Sequence, residues 1–233
     1  RAADQAVADF RGGGGDLAAA RAAVERAQRE QPREEFAARL ACELEETQAV
    51  RLLEQPASEA AVTEAAGRAR LAFQRARFLH PADPSLPRRA AALGNRVYYR
   101  TGWPADWLQR AIEDLQAVLA LDPLDVESRW ELVSVAQRAR LHELRDEQLA
   151  RLFELEPDYA IAWHGLGRLL EADGDLEGAL HAYVRAEEAL LNCAIKVRFP
   201  EPDSSAFYLR NLQAVKLGSL RDRIEDLRQR LYF

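Results

Sequence analysis

Apolar residues recur every three or four positions along nearly the whole chain, and the rhythm breaks only at a few glycines and prolines. A period near 3.6 with few β-branched runs predicts helices throughout. The clearest phrases end in proline: "AAVERAQREQP" at Pro32, "ARLAFQRARFLHP" at Pro81, "AIEDLQAVLALDP" at Pro123 and "RDEQLARLFELEP" at Pro157. Twelve, eight and five residues before each proline stand Ala20, Val24 and Ala27; Ala69, Phe73 and Ala76; Ala111, Leu115 and Val118; and Arg145, Leu149 and Leu152. Steps of four and three residues put each set on one helical face, with the small residue first because two helices cross closely there. Arg145 is the departure. Proline then ends each helix.

Pro123 and Pro157 are 34 residues apart. The other half of the unit stands in "AWHGLGRLLEADGDLEGALHAYVRA", residues 162–186, where Trp163, Leu166, Gly167 and Leu170 precede a turn and then Ala179, Tyr183 and Ala186. These residues resemble the tetratricopeptide repeat, W-x2-L-G-x2-Y followed by A-x3-F and a proline. Leu170 replaces the usual Tyr and Leu191 the usual Pro, and the second change predicts a helix that runs on toward Pro200. The resemblance implies an all-α fold, a right-handed α-solenoid of antiparallel helix hairpins over 1–199 with a C-terminal helical cap over 200–233. The units fall near 1–34, 35–83, 84–125, 126–159 and 160–199. Gly167 then permits close helix contact, Gly174 ends one helix and Asp175 caps the next, with Gly15 and Asp16 in the same two roles in a degenerate first unit. Two units are long. The span from Pro32 to Pro81 is expected to hold helices over about 33–54 and 58–79, and the span to Pro123 carries its extra residues in "TGWPADW", between a helix ending near Thr101 and one beginning near Asp106.

In tetratricopeptide proteins the first helix of each unit lines a concave groove. Matching positions place Arg88, Asn95 and Tyr98, then Trp130, Ser134 and Gln137, then His164, Arg168 and Glu171 on that surface. Aromatic anchors among arginines and amides suit recognition of a peptide or protein. Trp130 is one place from the usual Trp position, so a core role for it stays open. Trp103 and Trp107 of "TGWPADW" are a second candidate, a partner-binding loop, against the alternative that they cover helix ends. A clamp for a C-terminal carboxylate is not expected, because Asn95 matches one of its places but the only lysines, Lys196 and Lys216, lie beyond the groove positions of the repeats.

Charge narrows the partner. The formal net charge is -6, with acids and arginines alternating as on solvated helix faces, so no nucleic-acid partner is expected. Even the basic cluster Arg221, Arg223, Arg228 and Arg230 is diluted by Asp222, Glu225 and Asp226. No apolar run is long enough to cross a bilayer, so no membrane insertion is expected in this segment. The four histidines lack metal-ligand spacing, the serines form no G-x-S-x-G elbow, and adjacent acids such as Glu45 and Glu46 point about 100° apart along a helix. No catalytic residue, metal or cofactor is expected. Cys42 and Cys193 make no CxxC and are expected to be buried, unpaired thiols. The expected function is a non-catalytic scaffold for a protein or peptide, with an oligomer through the C-terminal helix left open. An enzyme of unrecognised type would need a deep polar pocket with perturbed acids. A second resemblance rests on texture: "GDLAAARAAVERAQREQP" and "AVLALDPLDVESRWELV" look like the C-terminal region of bacterial O-antigen ligase or polysaccharide-polymerase membrane proteins, which implies hydrophobic spans upstream of Arg1.

Overall fold

The structure, a computed structural model, describes residues 1–101, 105–198 and 205–232. In chain order the described residues form α1 (Ala2–Arg11), α2 (Leu17–Glu30), α3 (Glu35–Glu54), α4 (Glu59–Leu79), α5 (Ser85–Arg100), α6 (Ala105–Leu121), α7 (Val126–Arg138), α8 (His142–Leu155), α9 (Ala160–Ala172), α10 (Leu176–Arg198), α11 (Ser205–Ala214) and α12 (Leu217–Tyr232), with no strand among them. They gather into two compact bodies, Arg1–Gln148 and Leu149–Phe233, and α8 runs through the division. The C-terminal helices α11 and α12 share a body with α9 and α10.

The prolines act in one way four times. Pro32, Pro81, Pro123 and Pro157 each stand two residues beyond the end of a helix. A residue before proline is pushed out of the α region by the pyrrolidine ring, and Gln31 (φ -138, ψ 72) and His80 (φ -132, ψ 70) obey almost identically. The carbonyl before each proline accepts the amide three residues on, at Glu34, Asp83, Asp125 and Tyr159. That is a β-turn with proline in its favoured second place. The next helix then starts on a cap where the sequence supplies one, as Asp125 does by accepting from the Ser128 amide at 3.1 Å. α10, which lacks the proline at 191, continues to Arg198.

The turn inside a hairpin is set by a left-handed residue. Gly174 (φ 84) ends α9, and Asp175 accepts from the Gly178 amide at 2.9 Å as the cap of α10. In the first hairpin the left-handed residue is Gly13 (φ 91) and not Gly15, so two further glycines link it to the cap Asp16. Gly15 is required for a different reason: a Cβ there would stand 2.6 Å from the Phe10 amide nitrogen. One repeat length before Gly174 the same turn is made by Arg140 at φ 58.

Within the first body, apolar clusters run from hairpin to hairpin. Val7 and Phe10 meet Val24 and Leu44; Val62 and Phe73 meet Leu86, Leu93 and Val97; and Leu108 and Leu115 meet Leu132 and Val135. The small positions Ala20, Ala69 and Ala111 are all buried. Arg145, in the corresponding place in α8, reaches back to Gln137 of α7 at 2.7 Å. In the second body Ala179, Tyr183 and Ala186 of α10 pack with Leu220, Ile224 and Leu227 of α12. The fully buried Asn211 of α11 accepts the Ile161 amide at 3.0 Å and donates to the Phe207 carbonyl at 3.0 Å. It supplies the cap that α9 lacks locally, because Tyr159 makes no side-chain cap bond.

Candidate functional site

Arginines strap the first helices of the first body to one another. Arg51 of α3 donates to the Phe10 and Arg11 carbonyls at the end of α1 and lies 4.2 Å over the Phe10 ring. Arg89 and Arg96 of α5 reach Glu46 and Glu54 of α3, the second pair at 3.0 Å. Arg138 of α7 donates to Asn95 of α5 at 2.9 Å. Arg88 binds Ser128 at 3.1 Å and pairs with Asp125 at the start of α7. Burial opposes the Asp125 charge, but the Ser128 contacts and Arg88 prevail and hold its carboxyl below the usual carboxylate range. The exposed pair Arg96–Glu54 contributes at most about 1 kcal/mol; the effect of the set is to fix helix spacing. Of the groove residues expected in α5 and α7, Arg88, Asn95 and Gln137 are thus already engaged within the body.

Trp130 is the exception, and an arginine explains why. Trp163 of α9 lies half-buried, stacks on Phe153 with ring centroids 3.6 Å apart, and donates its indole N–H to the Pro157 carbonyl at 2.8 Å. One repeat earlier the same place holds Arg129, buried, donating to the Pro123 carbonyl at 2.7 Å and also to Gln148. Arg129 takes the structural role of the repeat tryptophan. Trp130 is thereby left half-exposed and outside the apolar clusters. Ser134, four residues on, is half-buried on the same helical face, and Tyr98 of α5 is half-buried with its ring edge-on to Tyr99 at 5.5 Å.

On α9, in the second body, His164 is half-buried with its ring 5.7 Å from that of Tyr183. Burial and the nearby Arg168 charge push its pKa down, which favours the neutral imidazole. Arg168 is exposed. Glu171 is consumed internally: it accepts from Tyr183 Oη at 3.1 Å and from Arg223 of α12 at 3.0 Å.

Burial contradicts the expected display of Trp107. Trp107 is 3% exposed inside α6, in one apolar cluster with Leu93 and Val97, and Arg110 lies 5.1 Å over its ring. It stands one helical turn before Ala111 on the face that packs inward, so it cannot serve as a displayed anchor. Trp103 lies outside the described residues. Cys42 and Cys193 are buried free thiols. Among the described residues no group of three His, Cys, Asp or Glu side chains could hold a metal ion, and no helix is long and apolar enough to cross a membrane.

Repeated helix hairpins joined by a recurring proline turn, with a glycine at the helix crossing of the last one, define the class: an all-α protein of stacked helix hairpins, the fold that the tetratricopeptide resemblance implies. The solved structure of MamA has the same fold: it superposes with a TM-score of 0.56 at 16% identity, covering 80% of this chain and 94% of MamA. A second MamA structure, the MamA RS-1 ArsTM double mutant, superposes at 0.53 with 16% identity, over 80% of this chain and 90% of its own. At these identities the likeness establishes the fold alone. No family model matches the sequence, and no curated protein is significantly similar to it.

Proposed function

We propose that the chain is a non-catalytic scaffold that holds a protein or peptide partner on the faces of its first helices. In the first body the contact surface is α5 and α7, with Trp130 as the anchor and Tyr98, Ser134, Asn95, Gln137 and Arg88 around it. In the second it is the exposed side of α9 at His164 and Arg168. The single observation that carries this reading is the exchange at 129 and 130. Arg129 makes the hydrogen bond that Trp163 makes one repeat later, so Trp130 is not needed for the fold. Large, amphipathic, rigid side chains of this kind dominate binding energy at protein interfaces. The strapped helices around it are pre-ordered, which lowers the entropy cost of binding. Selection of peptides from a random displayed library, followed by amide exchange of the complex, tests it. Selected peptides should slow exchange in α5 and α7, and protection confined to α11 and α12 would contradict the assignment.

A further inference from the structure

A second surface lies on α4. Leu71 and Phe78 are 67% and 84% exposed, and with Gln74 and Arg75 they follow the helical spacing of one outward stripe. The stripe is a ridge between two clefts. A cleft of about 270 Å³ separates it from α2 and α3, floored by Val24, Leu44 and Ala72. A wider one of about 470 Å³ separates it from α6. At the N-terminal end of the stripe stands Gly67, four residues before Leu71 and inside a helix, where glycine costs about 1 kcal/mol relative to alanine. Nothing among the described residues requires it: a Cβ at Gly67 would meet none of their atoms within 4 Å. A missing side chain on an open face permits close approach of another backbone.

Charge indicates what approaches. α2 and α4 carry seven arginines against four glutamates on a chain of net charge -6. Arg21 and Arg68 share Glu45 at 2.7 and 3.2 Å, and Arg70 is held by Asp114 at 2.7 Å. Arg26, Arg29, Arg75 and Arg77 make no ion pair among the described residues, whereas Arg21, Arg68 and Arg70 of the same two helices do. The cleft beside the stripe is lined by Arg21, Arg68 and the unpaired Arg75 against Glu25 and Glu45, and an exposed apolar stripe with that excess of cations and a helix-interior glycine at its end fits an amphipathic helix with apolar residues on one side and carboxylates beside them.

We infer that α4, with the α2 cleft beside it, is a docking site for an acidic amphipathic helix of a partner protein, separate from the α5–α7 face. The helix seats apolar side chains between Leu71 and Phe78, meets Arg75 with its acids, and crosses closest at Gly67. The probe is a designed amphipathic peptide with leucines on one face and glutamates flanking them, beside a version with lysine for every glutamate. Titration should show saturable binding of the glutamate peptide only. Leu71→Ser with Phe78→Ser should weaken it at least tenfold, as should Arg75→Glu, with thermal unfolding unchanged. Gly67→Leu is the discriminating variant: it should raise helix stability while abolishing binding. No saturable binding, equal binding of the lysine peptide, or undiminished binding to Gly67→Leu would each overturn the inference. So would self-association of the unliganded protein that Phe78→Ser removes, since the occupant would then be a second copy of this chain.

Discussion

Arg140 sits at φ 58, in the place where the last repeat has Gly174 at φ 84. A left-handed conformation costs a non-glycine residue about 1–2 kcal/mol, part of which a glycine returns by loosening the unfolded chain. Arg140→Gly should therefore stabilise the first body by roughly 0.5–1 kcal/mol in urea unfolding; a loss of stability would mean that the arginine side chain contributes more than its backbone costs. The reverse case is Gly167, whose added Cβ would stand 2.6 Å from the Tyr183 ring. Tyr183 is buried and its hydroxyl is held by Glu171, so the ring has little room to yield. Gly167→Ala should cost about 1–3 kcal/mol, and an unchanged unfolding midpoint would contradict the close crossing. The role of Gly167 was legible from its place in W-x2-L-G, whereas the strain at Arg140 was not, because a left-handed turn residue normally announces itself as glycine or asparagine and an arginine carries no such mark. Burial also pushes the Cys42 and Cys193 thiols up to about 12 and about 11. Both stay protonated at pH 8, so a thiol reagent should label neither in the native protein and both in denaturant. Rapid native labelling of Cys42 would place it at the surface.

At the scale of elements, helix ends were legible wherever a proline or a capping acid marks them. α3 ends at Glu54 and α4 begins at Glu59, around the "EQPAS" break. Trp107 shows the limit. Its place four residues before Ala111 extends the inward face by one turn, and that spacing was available in the sequence, but the neighbouring Gly and Pro made the segment look like a displayed loop. The cap of α9 was beyond reach for a physical reason: its acceptor, Asn211, lies 50 residues downstream, and nothing local signals a long-range hydrogen bond. Asn211→Leu leaves the Ile161 amide buried without an acceptor and should cost the second body about 1–3 kcal/mol. Faster exchange at the Ile161 amide would accompany it. A silent Asn211→Leu would mean that α9 is capped by other means.

At the scale of the whole molecule, the repeat was the legible part because each hairpin repeats the same local physics: a small residue at the crossing, an apolar face and a proline turn. The binding face was only half legible. Family positions pointed to nine residues, but whether a side chain is spent on packing depends on partners that the repeat pattern does not specify, as with Arg88 on Asp125, Arg138 on Asn95 and Arg223 on Glu171. In the first body the large side chain left for a partner is Trp130, freed because Arg129 fills the repeat's tryptophan site. The direct measurement is the equilibrium affinity of a library-selected peptide for the wild-type chain and for Trp130→Ala, with thermal unfolding of both. A scaffold anchored at Trp130 predicts binding at least tenfold weaker, about 1.4 kcal/mol, at an unchanged melting temperature. Equal affinity would contradict it, and so would a variant that loses binding only because it has lost stability.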